Sequence, residues 1–146
     1  MKMRWTRTIL WGVVVGFAAM APAGCRGKAC DTVSPSETAK SLGIVLAGGH
    51  LCEEDRNVAS IDYPKADGGK ALVSLYKSTL GKAGWKAEVE AGATLLLTRA
   101  DDTLFIITTD RTKQRGLPWA AVRYCRDTGC RQELTALANA MKERSK

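Results

Sequence analysis

The spacing of hydrophobic residues along the chain predicts three helices. The clearest covers residues 67–85, where apolar side chains recur at intervals of three and four on one helical face: Leu72, Val73, Tyr76 and Leu80. Asp67 is in position to cap the first turn of this helix. A short helix is expected to begin at Ser34 and Pro35, residue types that favour a helix start. The last helix, in residues 130–146, places four apolar residues on one face: Leu134, Leu137, Ala138 and Met141.

Between these helices, alternating apolar and polar residues predict six strands. Residues 50–64 form a predicted hairpin that turns at Asp55-Arg56-Asn57. Trp85, Ala87 and Val89 alternate with charged residues, which is typical of a strand with one buried face. Three more strands follow, in residues 94–99, 103–110 and 119–125.

The resulting order is α-β-β-α-β-β-β-β-α, which predicts one α+β domain over residues 34–146. Because short turns join most of these strands, neighbouring strands should be antiparallel. We therefore expect an antiparallel sheet of about six strands, with the helices mainly on one face.

Residues 1–24 have the three-part organisation of a signal peptide. Residues 1–8 are positively charged, residues 9–21 are uncharged and apolar, and small residues follow. The apolar part is shorter than the ~20 residues that a membrane-spanning helix needs. We therefore expect these residues to direct export and then to be removed.

The end of this leader allows two outcomes. Ordinary cleavage would follow Ala23 and release a secreted or soluble periplasmic protein. Alternatively, Ala23-Gly24-Cys25 is similar to the end of a bacterial lipobox, although Pro22 stands where an aliphatic residue is usual. Cys25 would then carry lipid and anchor the protein to a membrane, and residues 25–33 would form a short polar tether. Arg26 follows the lipid site, where an Asp commonly retains lipoproteins in the inner membrane, so the outer membrane facing the periplasm is expected.

The number of cysteines favours the lipoprotein interpretation. The chain has five, and an odd number in an exported protein leaves one without an intramolecular partner. If Cys25 carries lipid, the other four can form two disulfides in an oxidising compartment. The expected pairs are Cys30–Cys52 and Cys125–Cys130. The rival pair is Cys52–Cys125, which would leave Cys30 unpaired or joined to Cys130.

The net charge of the chain does not predict a nucleic-acid-binding protein. Its 22 Lys and Arg exceed its 15 Asp and Glu by seven, but the leader contains three basic residues and no acid, so only +4 remains for the rest. One basic loop stands out, with like charges at Arg111, Lys113 and Arg115. These three residues are a candidate contact for anionic lipid headgroups or for another anionic envelope component, worth about 1 kcal/mol per charge near such a surface.

The end of the central helix and the hairpin after it resemble a pattern found in small domains of bacterial envelope lipoproteins. The residues that carry the resemblance are Tyr76, Leu80, Gly84 and Trp85. In those domains the helix reads roughly Phe-Tyr-x3-Leu-x3-Gly-Trp. Their Tyr-Pro-Gly-like turn is replaced here by residues 46–49. The resemblance covers somewhat over half of the chain. It implies a similar fold and an envelope setting, and it implies no known activity.

Candidate catalytic or metal-binding residues are few. His50 is the single histidine of the chain, and His50 and Cys52 would share one face of a strand, as two metal ligands could. A small periplasmic hydrolase or metal-binding protein using His50 and Cys52, with Cys125 and Cys130 completing a zinc site, is the alternative interpretation. Since exported cysteines usually pair, we expect instead a non-enzymatic envelope lipoprotein without a cofactor, serving as a binding or accessory module. Its expected partners are the membrane, through the lipid anchor, and an envelope protein or anionic component.

Overall fold

A computed structural model describes residues 27–146 of the protein. The predicted leader and Cys25 therefore lie outside the described residues. Three helices and six strands are present, in the order predicted from the sequence. Their bounds are α1 Glu37–Leu42, β1 His50–Asp55, β2 Val58–Asp62, α2 Gly69–Lys82, β3 Lys86–Ala91, β4 Thr94–Arg99, β5 Asp102–Thr109, β6 Trp119–Cys125 and α3 Thr128–Arg144.

All six strands form one open antiparallel sheet, in the spatial order β1-β2-β6-β5-β4-β3. Tight turns join β1 to β2, β3 to β4 and β4 to β5, so these strands pair as neighbours. The last strand, β6, inserts between β2 and β5 and joins the two halves of the sheet. The α+β fold and its element order are as predicted.

The two faces of the sheet bury separate hydrophobic clusters. Side chains of α1 and α2 pack against one face, which includes Leu95 and Leu97 of β4. Leu96, between them, points to the other face and packs with Leu134 and Ala138 of α3. Two helices thus cover one face and α3 packs on the other, over β3, β4 and β5. Among the described helices, none packs over the outward sides of β1 and β2 on the α3 face.

A β-bulge in β3 changes the predicted alternation of this strand. The pairing register with β4 shifts between Ala87 and Val89. Trp85 therefore packs with the cluster under α2, whereas Val89 packs under α3 and Ala87 is exposed. The prediction that these three side chains share one face was wrong, because one extra residue in a strand reverses the direction of all that follow.

The helix starts also differ from those predicted. Ser36, rather than Ser34, caps α1, and its Oγ accepts a hydrogen bond from the amide of Ala39. Asp67 does not cap α2. The free amide of Gly69 instead donates to the carboxylate of Asp110, which lies 41 residues further along the chain. Leu137 of α3, predicted to share one apolar face with Leu134, Ala138 and Met141, is 44% exposed.

A hydrogen-bonded tyrosine pair lies inside the core between α2 and the sheet. The hydroxyls of Tyr63 and Tyr76 contact each other, and Tyr76 also donates to the carbonyl oxygen of Ile44 at 2.9 Å. The amide of Leu46 donates to the Tyr63 hydroxyl. Burial raises the pKa of Tyr76 well above its usual value, so this hydroxyl remains protonated. These bonds hold the loop after α1 on the core.

Within residues 27–146, no helix has the length and apolarity needed to cross a bilayer.

Trp85→Ala is expected to destabilise the fold strongly. The Trp85 side chain is only 5% exposed, and its removal leaves a cavity beside α2, at an expected cost of about 3–5 kcal/mol. Urea unfolding followed by circular dichroism measures this cost. Leu137→Ala is the matched control, because its exposed side chain should contribute no more than about 0.5 kcal/mol. Equal unfolding free energies for the two variants would contradict the core position of Trp85.

Candidate functional site

The basic loop joins β5 to β6 at one end of the sheet. Residues 110–118 fold back on themselves because the amide of Thr112 donates to Leu117 and the amide of Gly116 donates to Thr112, both at 2.9 Å. Gly116 has a φ of +64°, a conformation that glycine adopts without strain. Leu117 is fully buried and fixes the base of the loop. The basic side chains are therefore carried by a defined turn.

Arg115 of this loop binds a buried carboxylate. Asp62 ends β2 with its side chain fully buried, and Arg115 contacts both of its oxygens, with Nη2 at 2.8 Å from Oδ1. The amide of Cys30 donates to the same carboxylate at 3.1 Å. The hydrogen bonds to Asp62 raise the pKa of Arg115. Of the three predicted anion-contacting residues, Arg115 is thus already paired with an acid of the chain itself.

The other two basic residues line an open groove beside this pair. The groove has a volume of about 580 Å³, and Arg111, Lys113 and Trp119 form part of its wall. Arg111 and Lys113 are exposed, and neither forms an ion pair with any residue of the described chain. The indole Nε1 of Trp119 donates to the hydroxyl of Ser60, which fixes the ring in the groove wall. The groove therefore combines two free cations with a fixed aromatic ring.

The segment before α1 is attached to the same end of the sheet. We call residues 27–33 the N-terminal strap. Its Cys30 is disulfide-bonded to Cys52 of β1, with a Cα–Cα distance of 5.5 Å. The amide of Gly27 donates to the carbonyl oxygen of Arg115 at 2.8 Å, and the amide of Val33 donates to Leu51 at 2.9 Å. Together with the bond from Cys30 to Asp62, these contacts fix the strap along its length.

The second disulfide joins Cys125 at the end of β6 to Cys130 in the first turn of α3, with a Cα–Cα distance of 6.1 Å. Asp127 lies between them and accepts a hydrogen bond from the amide of Cys130, which caps α3. Both disulfide pairs expected from the sequence are confirmed. The rival pair, Cys52–Cys125, is not formed.

The disulfides bear directly on the alternative metal site. Cys30, Cys52 and Asp62 have potential ligand atoms within 4.8 Å of one another, but both sulfurs are joined in the disulfide. A zinc site with Cys52, Cys125 and Cys130 would need thiolates. The remaining candidate ligand, His50, lies beside Thr32 of the strap, with Nδ1 3.4 Å from the hydroxyl oxygen. In this fold the four cysteines form two disulfide cross-links and do not provide thiolate ligands for a metal ion.

A second groove, of about 690 Å³, lies at the opposite end of the sheet and contains the acidic residues around the β1–β2 turn. Glu54 accepts hydrogen bonds from the amide of Ser36 at 2.9 Å and from the hydroxyl of Tyr124 at 2.7 Å. Its pKa is lowered, because partial burial, which would raise it, is outweighed by the hydrogen bonds from Ser36 and Tyr124. Glu54 thus joins α1 to the sheet, which gives it a structural role.

The comparisons with known proteins give no further guidance: no family model matches the chain, and no curated protein or solved structure is similar to it at a significant level. The class of protein that the geometry defines is therefore a disulfide-linked α+β domain with a basic groove at the end that holds the N-terminal strap.

Arg115→Ala is expected to destabilise the protein by about 3 kcal/mol, because it leaves the buried charge of Asp62 with only the Cys30 amide as a partner. Urea unfolding at neutral pH measures this loss. Arg111→Ala is the control, since Arg111 is exposed and should contribute no more than about 0.5 kcal/mol. Adding Asp62→Asn to Arg115→Ala should restore part of the stability. An Arg115 variant as stable as the Arg111 variant would show that the pair does not support the fold.

Proposed function

We propose that the mature protein is a non-enzymatic lipoprotein of the bacterial cell envelope, anchored through lipid on Cys25. One observation carries this proposal. The four cysteines within residues 27–146 all pair with one another, so Cys25 has no cysteine of the same chain left to bond. A remaining cysteine directly after Ala23-Gly24 suits lipid attachment better than a free thiol in an oxidising compartment.

The two disulfides support an exported location for the domain. Disulfides persist in oxidising compartments such as the bacterial periplasm and are rare in the cytosol. Arg26, in place of an inner-membrane retention Asp, favours the outer membrane, with the domain facing the periplasm. If the leader were instead cut after Ala23, the same domain would be soluble in the periplasm or secreted, and Cys25 would be free.

The basic groove is the proposed binding surface of this module. Arg111 and Lys113 are exposed basic side chains that form no ion pair with a described residue, so they suit the binding of an anionic group. Cys52, which the hydrolase alternative would need as a thiol, is consumed by the disulfide to Cys30. A binding or accessory role toward an anionic envelope component therefore fits these side chains better than catalysis.

Cys25→Ser is expected to move the protein from the membrane fraction to the soluble periplasmic fraction. The reason is that lipidation inserts acyl chains, each buried methylene of which contributes ~0.8 kcal/mol to membrane binding. Cell fractionation and the mass of the N-terminal peptide measure the location and the modification together.

Arg26→Asp is the matched control for this experiment, because it alters the neighbouring residue and leaves the lipid site intact. This variant should stay in a membrane fraction and shift toward the inner membrane. If wild type and Cys25→Ser are equally soluble, and the N-terminal peptide of the wild type has no lipid mass, the lipoprotein proposal is wrong.

A further inference from the structure

We infer that the protein lies on its own membrane in one orientation, with the basic groove facing the bilayer and Arg111 and Lys113 contacting anionic phospholipid headgroups. This inference rests on the proposed lipid anchor at Cys25 and adds to it a second, electrostatic membrane contact made by the folded domain. The anchor alone would leave the orientation of the domain undefined. The short length of chain between Cys25 and the fold, the attachment of the strap and the charges around it together define an orientation.

The lipid site is very close to the basic loop. Cys25 precedes Gly27 by two residues, and two residues of fully extended chain span at most ~7 Å. The amide of Gly27 is hydrogen-bonded to the carbonyl oxygen of Arg115, inside the loop that carries Arg111 and Lys113. Acyl chains on Cys25 would therefore enter the bilayer at the end of the domain that carries the basic loop.

The strap also prevents the domain from turning away from the membrane. A flexible tether of nine residues would allow many orientations. Here, the disulfide from Cys30 to Cys52 and the hydrogen bonds of Gly27 and Val33 leave only residue 26 between the lipid site at Cys25 and the fixed backbone at Gly27. Because this connection is so short, insertion of the lipid would bring this end of the sheet into contact with the headgroups.

The side chains at this end suit an anionic surface. Lys28 of the strap is exposed, as are Arg111 and Lys113, and none of the three is in an ion pair with a described residue. Lys65 and Lys70, on either side of the start of α2, add two more exposed lysines, whereas the exposed acids nearby are Asp31, Glu53, Asp67 and Asp110, of which Glu53 pairs with Ser60 of the groove wall. The Arg115 charge is neutralised by Asp62, so it adds no net charge. Basic residues thus remain in excess where the anchor brings the lipid.

The groove also contains an aromatic side chain of the type found at membrane interfaces. Trp119 is partly buried, and its Nε1 is bonded to Ser60, so its ring has an apolar surface and a satisfied polar atom. Tryptophan is enriched at the depth of the headgroups for this combination of properties. In contrast, Glu54 and Asp55 lie beside the β1–β2 turn at the opposite end of these strands, where they would face away from the bilayer.

Phospholipid headgroups are favoured over an acidic protein as the occupant because of proximity. Once the lipid on Cys25 has inserted, it tethers the groove to the membrane surface. The effective concentration of headgroups at the groove then exceeds that of any free partner. Each basic side chain near such a surface strengthens binding about fivefold. Reversing both Arg111 and Lys113 should therefore weaken the contact at least 25-fold.

The first test uses the mature lipidated protein in vesicles of phosphatidylcholine, with and without phosphatidylglycerol. Two tryptophans remain after removal of residues 1–24, and Trp85 is buried, so acrylamide quenches mainly Trp119. We expect weaker quenching in the anionic vesicles than in phosphatidylcholine alone. The double variant Arg111→Glu, Lys113→Glu should abolish this difference.

The matched control is the double variant Arg56→Glu, Lys82→Glu, which makes the same charge change at two exposed residues of the opposite end of the domain. This control should behave like the wild type. Equal quenching of all three proteins in both vesicles would overturn the inferred orientation, even if the protein is lipidated.

A second test separates this inference from the anchor itself. Full-length mature protein with Cys25→Ser should still cosediment weakly with phosphatidylglycerol vesicles, and the Arg111, Lys113 double reversal should reduce this binding at least 25-fold. Inorganic phosphate at matched ionic strength should compete no better than chloride. Competition by phosphate alone would indicate a site for a free anion, and binding to an acidic peptide but not to vesicles would indicate a protein partner. Either result would overturn the membrane contact, whereas the mass of the N-terminal peptide decides the anchor independently.

Discussion

The buried carboxylate of Asp62 organises the end of the domain on which the proposed function depends. A charge removed from water is costly unless hydrogen bonds and an opposite charge compensate for it. Asp62 accepts hydrogen bonds from Nε and Nη2 of Arg115, in the basic loop. It also accepts a hydrogen bond from the amide of Cys30, in the N-terminal strap. These two segments are 85 residues apart in the chain, and Asp62 in β2 holds them together. The position of the strap and the shape of the groove both follow from this contact.

The disulfide between Cys30 and Cys52 makes this arrangement permanent in an oxidising compartment. Without it, the strap would be held by a few hydrogen bonds, each contributing only about 1 kcal/mol net. With it, Cys30 cannot leave β1 even if the hydrogen bonds to Asp62 or Leu51 open transiently. The segment that the sequence suggests is a tether is thus part of the folded domain from Gly27 onward. A lipid anchor two residues away would be attached to a nearly rigid body.

The sequence predicted the elements well because their signals are local. Helical spacing located α2, and alternation with turn residues located the strands. The bulge in β3 could not be predicted, since Ala87 and Val89 keep a regular alternation with their charged neighbours. The position of α3 on the opposite face did have a signal. The continuous apolar runs Leu95-Leu96-Leu97 and Leu104-Phe105-Ile106 are typical of strands that are buried on both faces.

The candidate site was only partly predictable, because sequence patterns report local structure and not contacts between distant segments. Cysteine number and the turn before Cys130 predicted the disulfides correctly, and the charge pattern identified the basic loop. The pairing of Arg115 with Asp62 depends on the register of β2 against β6, across 53 residues, and no local pattern indicates it. Trp119 was assigned only to a strand, because its place in the groove wall depends on the fold of the loop before it.

Amide hydrogen exchange, measured by NMR on the mature protein, tests most directly whether the strap is an integral part of the fold. The amides of Gly27, Cys30 and Val33 should exchange much more slowly than in an unstructured peptide, because each donates a hydrogen bond to the domain. Exchange of these three amides at unprotected rates, while the amides of β5 and β6 remain protected, would contradict it. The strap would then be a flexible tether, and the anchor would not orient the domain.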